Sequence, residues 1–214
     1  MSGQALHEPP EPRAEESRFL AGGRLLPWDL SVVLKLFIEL LSAFRRFRSL
    51  GPCVIVVGTR PEGLRWADAV AACEGMGTWL ASQGFTVLTL GEAGLSERVA
   101  RSCERVGGRV VRCPLGARRS ASPALQIFEY ELTRRLVLAK FSYATIALAP
   151  TGETSGMLHF LLALSRFGRL PDYRLYVLHG AQWTAPPWKG EPLATRPIES
   201  AADLADGFDS LLSA

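Results

Sequence analysis

From Cys53 onward this 214-residue chain alternates short apolar runs with longer stretches of helical periodicity. Cys53–Val57 is an unbroken apolar run ending at Gly58, the pattern of a parallel strand buried on both faces. Residues 64–83 then read as helix, 86–89 as strand, 95–106 as helix closed by Gly107-Gly108, and 109–113 as strand. After a polar loop, 128–141 reads as helix, 145–149 as strand, 154–167 as helix, 174–178 as strand and 200–212 as helix. Parallel strands need a crossover, and a helix is the usual one. The pattern therefore predicts an α/β protein, a doubly wound, mostly parallel sheet with helices on both faces. In such a sheet ligands sit at the carboxyl ends of the strands.

Upstream, Leu30, Val33, Leu34, Phe37, Ile38, Leu41 and Phe44 recur at helical spacing, between Asp29 and the stop at Gly51-Pro52. Arg45, Arg46 and Arg48 complement the dipole at its end. Residues 1–26 mix Glu, Arg and paired prolines and read as a disordered tail, leaving 27–214 as one domain. An apolar fraction of 48% with 21% charged residues is that of a globular chain and excludes a collagen or a disulfide miniprotein. Cys53, Cys73, Cys103 and Cys113 form no C-x-x-C pair and read as reduced core thiols. Residues 1–18 are polar and acidic, unlike a secretory leader, and the run Leu30–Leu41 is broken by Lys35 and Glu39. The expectation is a cytoplasmic protein without a membrane partner. Lys+Arg 24 against Asp+Glu 21 leaves +3, too weak a charge to predict nucleic acid as a partner.

Three expected strand ends carry small or hydroxyl residues. Gly58-Thr59-Arg60 offers close backbone approach, a hydroxyl and a guanidinium; it is also what an ordinary strand-to-helix turn looks like. Gly91 and Gly94 precede a helix whose first turn carries Glu97, and free amides at a helix start attract phosphate. Glu92, in the same loop, opposes phosphate. The third, Pro150-Thr151-Gly152-Glu153-Thr154-Ser155-Gly156, reads either as a phosphate cradle or as a capped helix start. It lacks the lysine of a Walker motif. No His/Cys/Asp cluster has metal-ligand spacing, so no metal or cofactor is expected, and His159 reads as a packed histidine. Arg134 and Arg135 are adjacent on a helix and so point about 100° apart, which predicts one facing the sheet edge and one in solvent.

Taken in order, these segments resemble the LOG (lonely-guy) family, described as lysine-decarboxylase-like, within the Rossmann-like nucleotide-binding proteins. The resemblance runs from about Leu30 to Leu212. Gly58-Thr59-Arg60 matches the family's G-S-x-R turn, and Gly91, Gly94 and Glu97 fall on its G-G-G-x-G-x-M-E segment. Phe128-Glu129-Tyr130, Arg134-Arg135-Leu136 and Ala139-Lys140-Phe141 resemble its Arg-Lys helix. Pro150-Thr151-Gly152 opens its P-G-G-x-G-T-x-x-E signature.

The resemblance implies a Rossmann-like fold, a homodimer and a pocket for a nucleotide or other phosphorylated small molecule. It implies ligand contacts at Gly58, Thr59, Arg60, Gly91, Gly94, Glu97, Thr151, Gly152, Thr154 and Ser155. The family's catalytic arginine carries over to Arg134, with a one-residue ambiguity toward Arg135. Its glutamate does not carry over, because those positions hold Met157 and Leu158. Breaking an N-glycosidic bond builds positive charge on the ribose, which a neighbouring carboxylate stabilises. The expectation is therefore a ligand-binding protein with weak or no hydrolysis. The alternatives are an active nucleoside 5′-monophosphate phosphoribohydrolase and a scaffold subunit that has lost the pocket.

Overall fold

The computed structural model describes residues 30–59, 66–116, 122–148, 153–170, 173–178, 195–200, 202–203 and 205. The chain divides into two compact units, Met1–Phe37 and Ile38–Ala214. The described part of the first, 30–37, is helical. The expected tail at 1–26 lies outside the described residues, as does most of the helix expected at 200–212.

The elements are α1 (Leu30–Phe47), β1 (Cys53–Val57), α2 (Trp66–Ser82), β2 (Thr86–Thr89), α3 (Leu95–Arg105), β3 (Arg109–Arg112), α4 (Glu131–Phe141), β4 (Ser142–Ala147), α5 (Glu153–Arg166), β5 (Arg174–Leu178) and β6 (Thr195–Ile198). The six strands form one sheet in the order β3-β2-β1-β4-β5-β6. Every pairing is parallel. This is the doubly wound α/β architecture that the alternation predicts, with its switch point between β1 and β4.

Side-chain alternation along each strand divides the core into two layers. Cys53, Ile55 and Val57 of β1 pack with Ala43 and Phe47 of α1, Val137 and Leu138 of α4, and Met157, Leu158 and Leu161 of α5. Val54 and Val56 pack on the other face with Met76 and Leu80 of α2 and Val99 and Cys103 of α3. All five residues of β1 are buried, as a central strand covered on both faces requires. The four cysteines are free and buried. Burial pushes Cys53 and Cys103 up to about 11 and Cys73 and Cys113 up to about 12, so at neutral pH they are core atoms and not nucleophiles.

Three elements differ from the sequence pattern. α4 starts at Glu131, not at 128, because Phe128 is fully buried and pairs with Leu115 beside the sheet edge. β4 starts at Ser142, directly after α4. The Ser142 hydroxyl donates to the Leu138 carbonyl at 2.7 Å and meets the Tyr173 hydroxyl at 2.8 Å, so one residue ends the helix and opens the strand. β6 carries no strand signature in the sequence, because Pro197 and the proline-rich stretch before it argue against one. A proline is tolerated on an edge strand, which β6 is. His159 is exposed, not packed. Among the described residues no helix is long and apolar enough to cross a membrane.

Candidate functional site

At the switch point the backbones leaving β1 and β4 touch. The Leu148 amide donates to the Val57 carbonyl at 2.7 Å. Gly58 follows with φ +146, and a Cβ built on it would lie 1.7 Å from the Leu148 carbonyl oxygen. The close approach that this glycine permits is therefore to a neighbouring chain segment.

The next loop closes in the same manner. Gly94 has φ +139, and a Cβ there would lie 2.7 Å from the Thr59 backbone. No side chain caps α3. Instead the Leu95 and Ser96 amides donate to the Thr59 and Gly58 carbonyls, both at 3.2 Å. The expectation of free amides at this helix start is corrected for these two, which already have backbone partners. Gly91 is exposed and abuts Pro114. Glu97 is held by Arg112, whose Nε and Nη2 lie 3.0 and 3.1 Å from its two carboxylate oxygens, and by Arg101 at 2.9 Å. Burial would raise its carboxyl, but the hydrogen bonds from Arg112 and Arg101 outweigh that and hold it below the ordinary value. Glu97 thus belongs to an ion-pair cluster that fixes α3 to the end of β3.

The chemistry gathers at the start of α4. A helix linking two parallel strands runs back against them, so the first turn of α4 lies at the carboxyl edge of the sheet. Arg134 is only 2% exposed and its Nη1 donates to the Cys113 carbonyl, just past β3, at 3.4 Å. Arg135 lies against the first turn of α5: a Cβ on Gly156 would be 2.8 Å from its Nη2. Its Nε is buried and has no hydrogen-bond partner among the described residues. The expectation that one of the two arginines is solvated is corrected. Arg134 reaches the β3 end, and Arg135, 27% exposed, reaches α5. Glu131, one turn earlier, pairs with Arg135 and lies 4.0 Å from the Arg134 guanidinium.

α1 holds this arrangement in place. The Glu39 carboxylate accepts from the Glu129 and Tyr130 amides, at 2.5 and 3.4 Å, just before α4. The Arg46 guanidinium donates to the Ser122, Pro123 and Leu125 carbonyls at 3.0, 2.8 and 3.0 Å and to Gln126 Oε1 at 2.8 Å. Composition and periodicity gave Arg46 only a dipole role. Its partners lie 76–80 residues away in sequence, beyond the reach of any local pattern.

Of the other candidates, Thr154 is fully buried and Ser155 half-buried, both in the first turn of α5. Arg60, Thr151 and Gly152 lie outside the described residues. Met157 and Leu158, where the resemblance would put a catalytic glutamate, are 1% and 0% exposed in the core beneath α5. Among the described residues no three His, Cys, Asp or Glu side chains gather as metal ligands do.

No family model matches the chain, and no curated protein matches it. Solved structures do. The molybdenum cofactor carrier protein from Chlamydomonas reinhardtii superposes with a TM-score of 0.54 at 14% identity, over 76% of this chain and 99% of that one. TM1055, a structural-genomics target, gives 0.53 at 16% identity, over 74% and 99%. The molybdenum cofactor binding protein from the phototrophic bacterium Rippkaea orientalis gives 0.50 at 13% identity, over 75% and 97%. At such identities the likeness is one of fold. Strand order, parallel pairing and these neighbours agree: the chain has a Rossmann-like α/β fold.

Proposed function

We propose that this protein binds a nucleotide or a related phosphorylated ligand at the carboxyl edge of its sheet and hydrolyses it slowly or not at all. The observation that carries this reading is the α4 arginine pair, one guanidinium at the β3 end and the other against the first turn of α5. Two planar, permanently charged donors suit a phosphate better than any neutral group would. The α5 first turn adds backbone amides and the positive end of a helix dipole. Arg60, Thr151, Gly152 and Ser155 complete the ligand's surroundings in this reading, and the protein works in the cytoplasm.

Two fold neighbours are named for carrying or binding the molybdenum cofactor. A protein that carries a ligand needs no catalytic carboxylate. A thermal-shift panel of AMP, GMP, a phosphorylated pterin and inorganic phosphate tests the reading. A rise in melting temperature with at least one organic phosphate is expected. No shift with any of them at millimolar concentration would leave the scaffold alternative standing.

Arg134→Ala is expected to weaken that binding by about 1.5–3 kcal/mol, the range for a hydrogen bond to a charged group. Because Arg135 also faces the α5 turn, Arg135→Ala is expected to weaken it too, by less, since its guanidinium is more exposed and screened. Calorimetric titration of both variants measures the difference. An Arg134→Ala protein that binds as tightly as the unmodified chain would remove the buried arginine from the site.

The protein acts as a homodimer in this reading. Leu132 and Leu136 expose an apolar face on α4, next in kind to the exposed Ile38 and Leu41 of α1. Light scattering at micromolar concentration should give about twice the 23.3 kDa chain mass. A mass of one chain would count against it.

A further inference from the structure

Glu131 stands between the two arginines of the candidate site. Its Oε1 accepts a hydrogen bond from Arg135 Nη2 and lies 4.0 Å from Arg134 Nη2. The i,i+3 and i,i+4 spacings mean that α4 builds this contact from its own turn. The carboxylate is the solvent-facing member of the group: Glu131 is 42% exposed, against 27% for Arg135 and 2% for Arg134. An acid in a first helical turn is favoured by the dipole alone. That preference explains a glutamate at the helix start, but it does not require one oxygen to be shared by two guanidiniums.

We propose that Glu131 is a resident counter-anion, displaced when ligand binds, that tunes the site toward doubly charged phosphate and against singly charged carboxylates. The inference rests on the reading of this edge as a phosphate site. A free carboxylate offers the arginines no more than Glu131 already does, and Glu131 is tethered in place, at high effective concentration. A phosphate offers up to two charges and three acceptor oxygens, enough to satisfy both guanidiniums at once. Glu131 has solvent to swing into. Arg135 already lies against the α5 turn and needs no rearrangement to meet a phosphate there.

The test is calorimetric titration of the full chain and of Glu131→Gln with inorganic phosphate, AMP and acetate at low ionic strength. Glutamine keeps the shape and removes the charge. Glu131→Gln should bind phosphate and AMP about 2–5-fold more tightly, the most that half-exposed ion pairs of up to ~1 kcal/mol allow. Its preference for phosphate over acetate should shrink. Glu131→Ala should shift both in the same direction, and the melting temperature of each variant reports whether it is folded. If the unmodified chain binds AMP or phosphate and a folded Glu131→Gln binds no more tightly, Glu131 is a dipole-favoured surface acid and the proposal is overturned, while the phosphate-site reading survives. If neither protein binds any of the three probes, both fall. A gain of binding in Glu131→Gln over an unmeasurable wild-type affinity supports both.

Discussion

Gly58→Ala is expected to leave little folded protein. The new Cβ would lie 1.7 Å from the Leu148 carbonyl oxygen and 2.5 Å from its carbonyl carbon. Both belong to backbone, so no side chain can swing aside. That backbone is fixed by the Leu148 amide on the Val57 carbonyl and by the β1–β4 ladder behind it. A φ of +146 adds strain for any residue with a side chain. Relief would require parting the two central strands at the switch point. The loss should exceed ~4 kcal/mol, against the total of about 5–15 kcal/mol that holds a domain together. Gly84 is the control. Its φ is +75 and nothing lies within 4 Å of an added Cβ, so Gly84→Ala should cost only about 1–2 kcal/mol for the left-handed backbone. Urea unfolding of the two variants measures both. A Gly58→Ala midpoint equal to that of Gly84→Ala would mean that the β1 and β4 ends do not touch.

The same glycine illustrates how far a sequence can be read. A glycine after a buried apolar run signals close approach, as at Gly58, and the structure adds a second close approach at Gly94 that no such run announces. What approaches cannot be read from the run itself. At both positions it is another loop of the same sheet edge, and the Gly58 and Thr59 carbonyls occupy the amides of Leu95 and Ser96. The strands were legible because burial on both faces leaves an unbroken apolar run, as in Cys53–Val57. β6 was not, since an edge strand carrying Pro197 lacks that signature. The motif singles out Arg134, which the structure buries with its guanidinium on the Cys113 carbonyl. Its company was not legible: Glu131 follows from helix spacing only once the α4 start is known. The grip of Glu39 and Arg46 on the segment before α4 is a tertiary fact, set by how α1 packs on the sheet and invisible to periodicity.

The unmodified protein should release no free base from AMP, or from other nucleoside monophosphates, at the roughly 1–1,000 per second typical of enzymes. Cleavage of the N-glycosidic bond leaves the ribose as an oxocarbenium-like cation. A carboxylate beside it either stabilises the charge or activates the attacking water. One turn into α5 the chain instead presents Met157 and Leu158, packed in the core at 1% and 0% exposure. Neither can carry charge or accept a proton, and loss of a positioned acid–base group alone removes about 10²–10⁴ of rate. Arg134 and Arg135 can hold a phosphate, but their positive charge opposes a cation forming nearby. Binding kept and turnover lost is the consequence. Single-turnover incubation with excess protein, followed by chromatography for free adenine, is the measurement. Rapid adenine release that disappears in Arg134→Ala would overturn the non-catalytic reading. Two carboxylates would then compete for the missing role: Glu153, the first residue of α5, and Glu131, already between the arginines. Glu153→Gln and Glu131→Gln separate them. The catalytic one should lose turnover while still binding AMP, whereas a merely displaced Glu131 should bind AMP more tightly with turnover intact.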